Sequence, residues 1–174
     1  MGVYKKISVT GGPLASTSIV SSTNGFPKGN RAMSAELMAS MFDSIVSNGI
    51  VEGVGSELEI SAYQGLQICV LSGSMWINGH MIKTDYATFI TLEPGHHYTI
   101  AVRLESSAGD VSIIAYADDD EDYMPYRGGG VYDMVLGYVD LSDETSRLRE
   151  ITEDMIEDTR DDDELCGYAG LKLG

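Results

Sequence analysis

The chain has 174 residues, a formal charge of −16, 43% apolar residues, twenty glycines, and ten tyrosines against three phenylalanines and one tryptophan. That length fits one domain, or one domain with an arm, and can bury on the order of 70% of the unfolded surface. So acidic a body repels phosphate backbones, which argues against sequence-independent nucleic-acid binding, and no apolar run approaches membrane-spanning length.

The charge is unevenly spread. Residues 1–35 hold Lys5, Lys6, Lys28 and Arg31 and no acid, so the other seven bases face all 27 acids in the rest of the chain. Residues 1–33 mix Gly, Ser, Thr and Asn with isolated apolar side chains such as Ile7, Val9, Leu14 and Phe26, too sparse for a core and too apolar for a plain linker. They read either as an extended arm that docks on something or as a disordered terminus. If they dock, the asymmetry predicts the basic arm of one copy on the acidic body of another. No positively charged leader precedes an apolar segment, and Cys69 and Cys166 form neither a disulfide framework nor a CxxC pair. Both thiols are therefore expected reduced, in a protein made in a cytoplasm, with Cys69 facing a core.

The spacing predicts a helix over about residues 34–48. Ser34 can cap it, Glu36 suits the positive end of its dipole, and Leu37, Met38, Met41, Phe42, Ile45 and Val46 recur along one face. Asn48-Gly49 ends it after about four turns. We read the apolar stripe as core packing, not as a ligand groove.

From Ile50 onward the period changes to two. Leu58, Ile60 and Ala62 alternate in one strand and Leu66, Ile68 and Val70 in the next, with Gln64-Gly65 as the turn. Trp76-Ile77-Asn78-Gly79-His80-Met81-Ile82 is a hairpin whose Asn-Gly supplies the two positive-φ residues of a type I′ turn. Further strands are expected at 88–92, 98–104, 111–117 and 131–141, punctuated by Glu93-Pro94-Gly95 and Ala108-Gly109-Asp110. The fold expected is mainly β (α+β): a β-sandwich or small barrel of short antiparallel strands with one docked N-terminal amphipathic helix. An acidic segment, 150–174, closes the domain as a short helix or an extended piece laid along the body.

Several motifs invite chemistry. Asp118-Asp119-Asp120-Glu121-Asp122 offers carboxylates to calcium, but the EF-hand pattern lacks its Gly at the sixth position and has Gly129 where its Glu belongs, so the block reads as a solvated loop. His80, His96 and His97 come without an HExxH or CxxC element, and no GxSxG elbow occurs, so neither a metal set nor a nucleophile is expected. With 27 acids some carboxylate pair always falls close together, which says little about glycoside hydrolysis. Arg127-Gly128-Gly129-Gly130 enters a strand rather than a helix and lacks a Lys-Ser/Thr pair, so it reads as a flexible connection, not a phosphate loop. In Asp158-Thr159-Arg160 the guanidinium is expected to grip a carboxylate bidentately and pin the C-terminal segment to the body.

The order of these pieces resembles the baseplate and tail-fibre N-terminal structural proteins of long-tailed phages and prophages of Gram-positive bacteria. Phe26…Gly29-Asn30-Arg31…Ser34-Ala35-Glu36-Leu37…Met41-Phe42…Asn48-Gly49-Ile50-Val51 resembles that family's opening. Gly73-Ser74-Met75-Trp76-Ile77-Asn78-Gly79 is similar to its hairpin, Tyr98-Thr99-Ile100-Ala101-Val102-Arg103-Leu104 and Leu136-Gly137-Tyr138-Val139 to two of its strands, and Ile156-Glu157-Asp158-Thr159-Arg160…Cys166-Gly167 to its close. The His96-His97 region and the bulky Met75 and Trp76 depart from the family's pattern. The resemblance implies a non-enzymatic virion tail component without cofactor, catalytic residue or metal ligand. It implies a homo-oligomer, a trimer or hexamer, joining other tail or baseplate proteins to receptor-binding parts and touching host surface glycans at most indirectly. Arg31, Phe42, Trp76 and Arg160 are then the structural or interface candidates. The competing readings are a carbohydrate-binding β-sandwich and a fragment of a glycan hydrolase.

Overall fold

The computed structural model describes residues 3–7, 14–17, 35–106, 108–118 and 124–172. Strands β1 (Val3–Ile7) and β2 (Leu14–Thr17) precede the helix α1 (Ala35–Ile45). The body follows as β3 (Gly49–Ile50), β4 (Ile60–Ala62), β5 (Gln67–Val70), β6 (Gly73–Ile77), β7 (His80–Thr84), β8 (Thr88–Thr91), β9 (His97–Glu105), β10 (Asp110–Ala117), β11 (Arg127–Gly128), β12 (Val131–Asp140) and β13 (Ile156–Asp158). These form three antiparallel sheets, ordered β1-β10-β9-β12-β11 with β13 also on β12, β2-β7-β6-β3, and β4-β5-β8. The mainly β class with one helix is as the periodicity predicts. Both described arm segments extend sheets of their own chain: β1 pairs with β10 and β2 with β7. Arg31 and the Ser34 cap lie outside the described residues.

Alternation along each strand decides what is buried. Tyr98, Ile100, Val102 and Leu104 of β9 turn to one face and meet Ile113 and Ala115 of β10, Met134 and Val139 of β12, Met75 and Ile82 of the second sheet, and Ile68 and Ile90 of the third. Burying one large aliphatic side chain in such a core contributes about 1.5–3 kcal/mol. The other face of the large sheet carries a smaller cluster, Ala101, Ile114 and Val135, with Tyr138 and Leu165 packed against it.

The helix is shorter than its periodicity suggests, 11 residues, because Val46 already pairs with Leu171 and β3 starts at Gly49. Its apolar arc is also split, where the sequence predicts a wholly packed stripe. Met38 and Ala39 are buried and Phe42 stacks on Trp76 with ring centroids 5.4 Å apart, while Leu37, Met41 and Ile45 remain 50–51% exposed. The hairpin turn beneath the helix explains this seating. Asn78 and Gly79 take φ of +49° and +77°, as a type I′ turn requires. The turn presses so closely on the helix that a Cβ on Gly79 would stand 1.7 Å from the Ala39 carbonyl oxygen. The Asn48 side chain locks the arrangement, accepting the Asn78 N–H at 2.7 Å and donating to the Asn78 side-chain oxygen at 3.1 Å.

Candidate functional site

The most organised polar region is a clasp in which the C-terminal segment closes over an irregularity in β12. Val135 pairs with Ala101 but Gly137 with Ile100, so Leu136 is one residue too many, a β-bulge. A bulge interrupts the ladder, and its buried main-chain groups must find other partners. The C-terminal segment supplies them. Thr159 donates its N–H to the Leu136 carbonyl and its hydroxyl to the Val135 carbonyl, both at 3.1 Å, and the Val135 N–H donates to the Leu165 carbonyl at 2.9 Å. Strand β13 comes this close because residue 137 is glycine: a Cβ there would stand 2.3 Å from the Glu157 carbonyl oxygen.

Arg160 ties the clasp down, though differently from the sequence expectation. Its bidentate carboxylate is Asp158, two positions away on its own segment, reached by Nε at 2.9 Å and Nη2 at 2.5 Å. The grip on the body is made by Nη1, which donates to the carbonyls of Glu57 at 3.0 Å and Ser56 at 3.3 Å. Asp158 thus orients the guanidinium that holds the loop. That loop carries Glu57 and Leu58 at φ of +55° and +57°, left-handed conformations that side chains seldom adopt. The Glu57 carboxylate steadies it by accepting the Gly53 N–H at 2.8 Å and the Tyr168 hydroxyl at 3.2 Å. Beyond Gly167 the chain knits onto the exit of α1: Ile50 donates to the Gly167 carbonyl, Ala169 to that of Ile50, Ser47 to that of Gly170 and Lys172 to that of Ile45, at 2.8–2.9 Å.

Hydrogen bonding from Arg160 holds the Asp158 carboxyl below its ordinary range. A carboxylate depressed by folding contributes stability above its unfolded value, near 3.9, and loses it as pH falls through the folded value. We therefore expect Arg160→Ala to melt below the wild type at neutral pH, with the gap between the two midpoints narrowing below about pH 4 in calorimetry. Cys166 reports on the same clasp, for burial pushes its thiol up to about 12. It should alkylate slowly in the native protein and about tenfold faster in Arg160→Ala, read by mass spectrometry under native conditions.

A second arginine, missed in the sequence, reinforces the closure. Gly129 and Gly130, at φ of +68° and +83°, turn β11 back onto β12, so the supposed flexible connection is a hairpin. From it Arg127 donates to the carbonyls of Glu164 and Leu165 at 2.9 and 3.0 Å and to that of Asp133, with its guanidinium 4.6 Å from the Tyr132 ring centroid. On the same sheet, Arg103 and Asp133 are direct cross-strand partners, joined through Nε at 2.6 Å and Nη2 at 2.7 Å. Asp133 is fully buried and the Arg103 side chain is 7% exposed. The Tyr126 N–H also donates to Asp133 at 3.1 Å, and the Arg103 guanidinium lies 4.7 Å from the Tyr126 ring centroid.

The remaining candidates fall elsewhere. Phe42 and Trp76 meet each other under the helix, whereas Arg160 belongs to the clasp. His97 Nδ1 lies 2.8 Å from an Asp118 carboxylate oxygen, His96 packs edge-on to Tyr98, and burial lowers the pKa of His80. Residues 119–122 of the acidic block lie outside the described residues. Cys69 is buried, yet on the face of β5 opposite to Ile68 and Val70, where burial and then Glu153 push its thiol up. Among the described residues no group of three or more His, Cys, Asp or Glu is placed to hold a metal ion. No helix among them is long and apolar enough to cross a membrane. In comparisons with protein families, curated proteins and solved structures, nothing matches this chain.

Proposed function

We propose that this chain is a structural component of a phage or prophage tail baseplate, a self-associating adaptor between the tail tip and receptor-binding parts, with no reaction centre of its own. The reading is supported by one observation: the sequence pieces that carry the resemblance are the pieces that interlock. The helix rests on the Asn78-Gly79 turn, Thr159 fills the bulge before Gly137, and the stretch after Cys166-Gly167 pairs with the helix exit. Within this framework the guanidiniums of Arg103, Arg127 and Arg160 are all engaged with acceptors of the protein itself. Such polar chemistry rigidifies a scaffold rather than meeting a substrate. Mass spectrometry and antibody labelling of tail particles from the host that carries the gene test the proposal. The chain should copurify with intact tails and label their tips, and its absence from purified particles would sink the reading.

A second reading rests on a separate feature. The outer side of β4-β5-β8 presents Tyr63, 48% exposed, against Phe89 at 4.6 Å between centroids, beside Gln67 and Thr91, which hydrogen bond at 3.2 Å. An aromatic face with amide and hydroxyl neighbours suits the C–H face of a pyranose. Binding on a glycan array that Tyr63→Ala abolishes would favour a carbohydrate-binding module.

A further inference from the structure

Two of the chain's Asn-Gly steps meet in one place. Asn48-Gly49 follows the exit of α1, Asn78-Gly79 turns the hairpin beneath it, and the two asparagines are bonded to each other. The Asn78 main-chain N–H needs an acceptor, which fixes the Asn48 side-chain oxygen toward it at 2.7 Å and leaves the Asn48 amide nitrogen to donate to the Asn78 side-chain oxygen at 3.1 Å. A third such step, Asn24-Gly25, lies outside the described residues.

An asparagine followed by glycine is open to loss of its side-chain nitrogen, because no Cβ hinders the next main-chain nitrogen. That nitrogen attacks the Asn Cγ and an N–Cγ bond forms. The Cγ–Nδ2 bond breaks, and the proton of the glycine N–H leaves with the departing ammonia. Water then opens the cyclic imide at either carbonyl, giving aspartate or, with one more carbon in the main chain, isoaspartate. The native fold opposes each step. Both polar atoms of the Asn48 amide are held by Asn78, so its Cγ cannot swing onto the Gly49 nitrogen. Gly49 and Gly79 are buried where not even a methyl group has room: a Cβ on Gly49 would stand 2.5 Å from the Ala169 nitrogen, and one on Gly79 would strike the Ala39 carbonyl. Neither a planar imide nor an extra main-chain carbon fits while the helix is docked.

We infer that Asn48 and Asn78 form a paired deamidation site that the docking of α1 on the hairpin keeps shut. It opens when the helix lifts from the turn, a local event short of global unfolding. The product then opposes return. A carboxylate at position 48 turns an oxygen toward the Asn78 side-chain oxygen where a donor stood, and isoaspartate at position 78 lengthens a turn built for two residues. An undocked helix is thereby exposed to a permanent mark, whatever assembly the chain serves.

Peptide mapping by mass spectrometry, on the full chain aged in mildly alkaline buffer, tests this. Both sites should convert freely in urea and at least about tenfold more slowly in the native protein. Asn78→Gly keeps a turn that tolerates positive φ but deletes the acceptor, and should speed conversion of Asn48 about tenfold. Asn78→Asp keeps an acceptor and should leave Asn48 protected. Asn48→Ala should expose Asn78 in the same way. Gly109→Ala is the control, since it strains the β9–β10 turn at φ +67° without touching the pair, and should accelerate neither site. Native rates equal to those in urea would overturn the inference. So would equal acceleration by Gly109→Ala, which would assign the protection to global stability alone.

Discussion

Asp133→Ala should be among the most damaging single substitutions in this chain, costing about 3–5 kcal/mol in urea unfolding. The carboxylate is fully buried, opposite a guanidinium of which 7% is exposed, and the two share two short hydrogen bonds. Removing it leaves Arg103 charged and desolvated with its main partner gone, and it takes an acceptor from the Tyr126 N–H as well. The loss of stability should spread to the clasp, because Arg127 reaches the C-terminal segment from the next position along that hairpin. Replacing both partners with apolar residues of similar volume, Arg103→Met with Asp133→Leu, should recover most of the loss, since a well-packed apolar pair avoids the desolvation of two charges. A single-variant cost under about 1 kcal/mol would mean that water reaches the pair in solution.

Gly79→Ala should cost a comparable amount, about 3 kcal/mol or more. Two penalties coincide at this position. The backbone is left-handed at φ +77°, which costs an L side chain about 1–2 kcal/mol, and the new Cβ meets the Ala39 carbonyl oxygen, a backbone atom that cannot rotate away. Gly109→Ala separates the two effects. It has φ +67° with nothing within 4 Å of the added atom, so it carries the backbone penalty alone. The difference between the two variants in chemical unfolding measures how tightly the hairpin turn carries the helix. Equal costs would show that α1 shifts to make room.

These two sites also show what a sequence displays and what it hides. The Asn78-Gly79 turn was legible because its chemistry is local: two adjacent residues tolerating positive φ between alternating strands. All eight strands expected from 58 to 141 are found, with ends moved by a few residues, because one buried face imposes period two. The bulge was less visible but left a trace. The side chains that join the main core run Met134, Leu136 and then Val139 in β12 and Leu141 just past its end, an even-to-odd slip with Gly137 at the break. The Arg103–Asp133 pair, the Arg127 grip and the real partners of Arg160 left none, because each depends on which strand lies opposite. The helix misled for another reason. Periodicity reports how wide an apolar arc is, not how much of it the rest of the chain covers.

The clasp bears on how the protein is made. Its longest-range side-chain contacts join residues 103 to 129 positions apart, from Arg160 with the carbonyls at 56–57 to Lys172 with Asp43. Closing loops of that span comes late and slows folding. On the ribosome the bulged strand emerges before Thr159 and Leu165, so for a time its main-chain groups have only water to bond. A nascent chain cut short before residue 159 would keep most of its sheets yet never dry that seam. Synthesis past Leu165 is thus a condition for the closed seam, and a product released earlier carries the Val135 and Leu136 carbonyls open to solvent.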